Sequence, residues 1–228
     1  MLVQLVDNPV EIVTAITNLV MGGVGALCWY FIFRVSTDAK WQQRLWLIIF
    51  SLLTLASVLG AVHHGIAVSA TLYDLSWSAI FLLLGTLIGL FVVASCHDLW
   101  GVRVARKVLP VMMVMAVVFI AVSWARGQDF RLFILYQALA LLFAQVGYLY
   151  LVTRRVSGSL MVSAGIMLTI IAAIVQAARI VTLVPAYPFD HNAAYHVIQI
   201  PGIVFLTIGI RRMLVETYRR KREPNEIT

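Results

Sequence analysis

Charge is what this sequence has least of. Asp, Glu, Lys and Arg make up 12% of its 228 residues, against 62% hydrophobic, and the mean hydropathy is +0.95. A water-soluble domain is about a quarter charged, so the composition excludes an ordinary soluble fold. Cysteine is nearly missing as well. Cys28 and Cys96 are too few for a disulfide framework or a cysteine metal motif, and they read as buried filler. There is no lysine between residues 193 and 212, which excludes a retinal Schiff base on the last apolar segment. No pair of Gly/Pro-broken segments recurs in matching halves, the pattern that would point to a transporter; Pro201 with Gly202 supplies one candidate kink. The first apolar segment is too long for a removable signal peptide, and it lacks the basic start and the small-residue cleavage site. No tandem repeat is visible, and no polar stretch is long enough to form a second, soluble domain.

What the sequence does have is seven long apolar stretches, at about 10–33, 45–68, 75–96, 108–125, 130–152, 159–183 and 193–210. A membrane span needs about 20 residues of helix, and in hydrocarbon the backbone must satisfy itself. The predicted fold is therefore all-α, an integral membrane bundle of seven transmembrane helices over residues 1–212 with a basic tail over 213–228. Lys and Arg flanking the spans prefer the cytoplasmic side. Fourteen lie on one face, from Arg34, Lys40 and Arg44 through to the tail, and only Arg126, Arg131 and Arg179 on the other. That predicts the N-terminus outside and the C-terminus cytoplasmic. The net charge of +7 is then a topology signal that suits anionic inner-leaflet lipid, not nucleic acid. Compact loops without sorting motifs suggest a bacterial inner membrane.

Polar side chains within such spans usually face the bundle interior, a partner or a cavity. Given this topology, Glu11, Asn18, His63, His64, Asp74, Gln176, Arg179, Asp190, His191, Asn192 and His196 all fall toward the outer ends of their spans. The alternative to a shared site is plain anchoring at the interface, where His, Tyr and Asp are common. Spacing adds detail. Glu11 and Asn18 share a helix face, as do Asn192 and His196, four apart. His191 and His196 diverge by roughly 140° in a regular helix, so His191 reaches the same site only from a non-helical cap. Asp190 is well placed to cap span 7.

Three stretches carry a family resemblance. "EIVTAITN" (11–18) resembles the Glu-x5-Ser/Thr-Asn signature of span 1 in the alkaline ceramidases. "HHGIAVSATLYD" (63–74) resembles their second-span histidine followed by an aspartate opening span 3. "NAAYHVIQIPG" (192–202) is similar to their seventh-span motif, in which an aromatic-His pair is followed six residues later by glycine, here Tyr195, His196 and Gly202. The chain thus resembles the CREST superfamily of seven-transmembrane proteins, which groups alkaline ceramidases with adiponectin receptors; the N-outside topology suits the ceramidases. The resemblance implies a zinc ion held by one histidine of span 2 (His63 or His64) and two of span 7 (His191 and His196). It implies Asp74 as acid/base beside a metal-bound water, and hydrolysis of a lipid amide or ester. Three protein ligands plus water is the usual catalytic zinc arrangement, and the metal brings the water's pKa toward ~7. Two departures stand out. The serine expected one turn before the span-2 histidine is Leu59 or Gly60, and the first histidine of the span-7 pair is Asn192, a poor zinc ligand.

Two main readings follow. In the first, the chain is a zinc-dependent intramembrane hydrolase with Arg179 and Ser57 as substrate-binding residues and Glu11, Asn18 and Asn192 as structural polar groups. In the second, it is a non-catalytic seven-helix protein on the same scaffold, binding membrane lipid or serving as a complex subunit. A haem carrier is a third reading, weakened because the histidines lie at the rim of the spans and not at haem depth.

Overall fold

The computed structural model describes residues 4–179 and 189–222. Seven helices run through them: α1 (Pro9–Phe33), α2 (Lys40–Gly65), α3 (Ala70–Trp100), α4 (Val102–Ala125), α5 (Phe130–Thr153), α6 (Ser159–Ala177) and α7 (His191–Arg222). All seven are long and apolar enough to cross a membrane. Several extend beyond the apolar stretches. Helix α2 begins at Lys40, α3 reaches Trp100, and α7 continues through the basic segment to Arg222. Apolar runs mark only the part of a helix suited to hydrocarbon, and Lys, Arg, Gln and Glu propagate helix well into polar flanks. The expected continuation of span 6 over 180–183 lies outside the described residues.

Local chemistry fixes the ends. Asn8 caps α1 through a bond from the Val10 N–H (3.0 Å), with Pro9 opening the helix, the position where proline's missing donor costs nothing. Asp129 caps α5 and Asp190 caps α7, the latter by accepting from the Ala193 N–H at 2.8 Å. A single residue, Gly101, joins α3 to α4 at φ +84°, a conformation that L side chains rarely adopt. Residues 4–6 pair antiparallel with the end of α2, the Val6 N–H bonding Gly65 O and the Ala67 N–H bonding Gln4 O.

Six helices close a ring: α1 packs on α2 and α7, α2 on α3, α3 on α5, α5 on α6, and α6 on α7. Helix α4 stands outside, against α3 and α5. Phe119 pins it there, stacking on Phe81 (5.9 Å) and Tyr136 (4.9 Å) over the space left by Gly85, where a Cβ would come within 2.7 Å of the Phe119 ring. The α6–α7 seam is the tightest. Gly165 faces Gly202 and Gly158 faces Gly209, and a Cβ at Gly165 would lie 2.7 Å from the Gly202 carbonyl oxygen. Both pairs are seven residues apart on each helix, so one antiparallel register brings both together. Small residues allow this backbone approach, the main source of packing energy between helices in lipid.

The end of the bundle remote from the N-terminus is sealed by a buried carboxylate. Asp98 has no exposed side-chain surface and accepts from Gln42 Nε2 and Tyr148 OH, both at 2.6 Å. His97 lies 3.0 Å away, stacked on Trp41. These bonds tie α2, α3 and α5 together, and bonds to a charged acceptor stabilise by about 1.5–3 kcal/mol each.

Replacing Gly165 with alanine is expected to destabilise the protein by about 1–3 kcal/mol through overpacking. Gly23→Ala, at a position with nothing within 4 Å, should leave thermal unfolding of the detergent-purified protein unchanged.

Candidate functional site

The opposite end of the ring holds a cavity of about 830 Å³. Helix starts and ends surround its mouth: Asp129 and Arg131 at α5, Arg179 just past α6, and His191 opening α7. Below them lies a polar belt formed by Glu11, Asn18, His63, His64, Asn192 and His196. Tyr73, Trp77, Phe130 and Phe133 make an aromatic wall, and Met21, Leu53 and Leu84 line the apolar depth. Met21 is ten residues beyond Glu11 on α1, so at 1.5 Å per residue the cavity reaches roughly 15 Å along the bundle.

Hydrogen bonds determine which ring nitrogen of each histidine carries the proton. His196 Nδ1 lies 2.9 Å from Thr17 Oγ1, and that hydroxyl is already 3.0 Å from the Thr14 carbonyl. A hydroxyl has one proton and a carbonyl has none, so Thr17 donates to Thr14 O and His196 donates through Nδ1–H. The same reasoning applies to His63. Its Nδ1 lies 2.7 Å from Ser76 Oγ, which donates to Tyr73 O. His64 Nδ1 lies 2.5 Å from the Glu11 carboxylate, an acceptor. His63 and His196 are therefore Nδ1–H tautomers, assigned from their bonding, and each of these neutral rings leaves Nε2 with a lone pair; His64 holds its Nδ1–H on Glu11. His63 and His196 are buried. Trp77, at 5.0 Å, and Tyr73, at 4.1 Å, hold the His63 ring.

A second chain of bonds is polarised toward Asp190. Thr14 Oγ1 donates to Oδ1 (3.0 Å) and Asn192 Nδ2 to Oδ2 (3.1 Å). Gln176 Nε2 then donates to Asn192 Oδ1 (3.0 Å). The carboxylate thereby orients both amides, and Gln176 Oε1 ends the chain buried, with no hydrogen-bond partner among the described residues.

The sequence candidates are distributed as follows. His63, His64, His191, His196, Ser57, Arg179, Glu11, Asn18 and Asn192 all line the cavity. His191 does so as the first residue of helix α7, so it needs no non-helical cap to reach the cavity. Ser57 is buried, and its hydroxyl donates to Leu53 O. Asp74 differs from the expectation of a facing wall. Its side chain is exposed and absent from the lining, because it falls on the outward side of α3, while Tyr73 and Trp77 present the inward side. Thr14 and Ser76 escaped the sequence reading, and Thr17 entered it only as the hydroxyl residue of the span-1 signature, because hydroxyl residues in helices usually bond their own backbone. Here two of them do so and also hold a histidine.

The described residues do not assemble the zinc ligand set that the resemblance implies. Among the described residues, no group of three or more His, Cys, Asp or Glu side chains could hold a metal ion. The undescribed stretch 180–188 contains none of these four residue types, so it cannot complete the set.

The family model of DUF6962, a family of unknown function, matches residues 13–215. The chain belongs to DUF6962. The match takes in α2 to α6 whole and most of α1 and α7. No curated protein and no solved structure matches this DUF6962 chain.

In ¹⁵N-histidine spectra, the resonances of His63 and His196 are expected to report Nδ1–H tautomers. Thr17→Val should change the His196 signal alone, and an Nε2–H assignment for His196 would show the inferred proton placement to be wrong.

Proposed function

We propose that this DUF6962 protein binds a membrane lipid, or a lipid-like amphiphile, within its helical ring. In this reading it is an integral protein of a bacterial inner membrane, with the N-terminus outside and the C-terminus cytoplasmic. The observation that carries the proposal is the graded lining of one cavity: guanidinium groups at the mouth, histidines and amides below, aliphatic side chains in the depth. An amphiphile fits that order, with its headgroup at the polar belt and its chain toward Met21, Leu53 and Leu84. Burying apolar chain surface supplies about 25 cal/mol per Å², and a few placed polar groups fix orientation. Arg131 and Arg179 frame the mouth, where their long side chains keep the charge near water.

The scaffold proposed is that of a divergent, non-catalytic member of the CREST-like seven-helix proteins. The hydrolase reading depends on a metal centre that the donor set does not fit, so no catalytic step is assigned to Asp74 or the histidines.

A brominated-chain amphiphile should quench Trp77, which lines the cavity, saturably and at about one molecule per chain. Trp77→Phe should remove that component, and Leu84→Trp should weaken it at least 10-fold by filling the depth. Absence of any saturable quenching would overturn the reading. Elemental analysis of the purified protein is expected to give well under 0.1 zinc per chain; one equivalent lost on His196→Ala would restore the hydrolase. A C-terminal fluorescent-protein fusion should fluoresce in bacteria, and the matching alkaline phosphatase fusion should be inactive.

A further inference from the structure

We infer that the headgroup selected by this cavity is a hydrogen-bond donor, and specifically a hydroxyl-bearing one. The inference rests on the amphiphile-binding reading above and specifies its ligand class. The reason is an imbalance in the lining. Nδ1–H of His63 and His196 is committed to Ser76 and Thr17 respectively, so these two rings offer Nε2 lone pairs. Asn18 gives one Nδ2 proton to Thr14 O and offers Oδ1 as an acceptor. Glu11, whose carboxylate accepts from the His64 ring, lines the cavity as well. Ser57, whose proton goes to Leu53 O, is an acceptor too.

The polar belt therefore presents acceptors from α1, α2 and α7. An ester- or ether-only headgroup, itself all acceptor, would face lone pair against lone pair. A buried acceptor left unpaired costs about as much as a lost hydrogen bond, so donor-bearing ligands are favoured at each such atom. A hydroxyl fits better than an ammonium for two reasons. Tyr195 OH lines the cavity and accepts from Gln137 Nε2 (3.3 Å), which leaves its own proton for a ligand lone pair, and an ammonium has none. The mouth also carries both signs, Arg131 and Arg179 with Asp129, so it favours no bare cation and suits a neutral polyol.

The test uses two matched probes in the Trp77 quenching assay: a 1-monoacylglycerol with a brominated chain, and its 2,3-di-O-methyl ether. They share chain and backbone, and only the first carries donors. The monoacylglycerol is expected to bind at least 10-fold more tightly. His196→Ala should shrink that ratio at least 3-fold; because the ratio is taken within one variant, partial loss of fold affects both probes alike. Equal binding of the two probes to the unmodified protein would overturn the inference while leaving amphiphile binding intact. An alkylammonium of the same chain binding as tightly as the monoacylglycerol would overturn it as well. If no probe quenches Trp77, the binding reading itself fails.

Discussion

One proton per hydroxyl is the constraint on which the cavity end of this bundle depends. Thr17 and Ser76 each stand between a backbone carbonyl and an imidazole nitrogen. Because the carbonyl can only accept, the hydroxyl proton goes to it and the imidazole must supply its own. With Glu11 holding the third ring, the orientation of three histidines on two helices, and the tautomer of His63 and His196, are set by residues of α1 and α3. Helix α1 contributes most. Glu11 ties it to α2, while Thr14 and Thr17 tie it to α7, and it packs against both helices. It closes the ring and directs the chemistry of the cavity together.

The two ends of the molecule treat buried polarity in opposite ways. At the far end, Asp98 is satisfied by Gln42 and Tyr148, and the large apolar cluster with Trp46, Phe91, Val93 and Tyr148 surrounds it. A carboxylate so enclosed survives only because its partners replace water, which gives a rigid plug. At the cavity end, polar side chains line open space instead. Backbone contact at Gly165 and Gly202 and the bond from Gln176 to Asn192 hold α6 and α7 together up to its rim.

Hydropathy revealed the helices because a run of apolar residues is a direct physical requirement of hydrocarbon. It underestimated their ends, where Gln42, His97 and Asp98 continue the helices into polar surroundings. The clustering of polar side chains toward one end was also legible, since Glu11 with Asn18 and Asn192 with His196 share faces at helical spacing, and all four line the cavity. Three things were not legible. The inward side of α3 could not be told from the outward side, because that helix is apolar nearly all round; hence Asp74 was assigned to a wall that Tyr73 and Trp77 form. The plug at Asp98 joins residues 42, 98 and 148, a contact that no local pattern encodes. The third is tautomer direction, which belongs to hydrogen bonds between helices and leaves no trace in spacing.

The departures from the ceramidase-like pattern have a physical explanation in this network. A serine one turn before His64 would stand at Gly60, where even a Cβ would lie 2.9 Å from Asn18 Oδ1. Asn18 and a side chain at 60 therefore compete for one volume, and this chain gives it to the carboxamide. Asn192 is likewise engaged, receiving from Gln176 and donating to Asp190. A carboxamide can do both at once through two separate atoms on one short side chain, and it thereby transmits the orientation set by Asp190 to Gln176. A metal site needs ligand lone pairs converging on one point. Here the positions that would complete such a set are used to hold helices α1, α2, α6 and α7 together. What remains is a lining of dispersed acceptors, each fixed by its neighbour, and a surface of that kind recognises an extended polar headgroup better than a single ion.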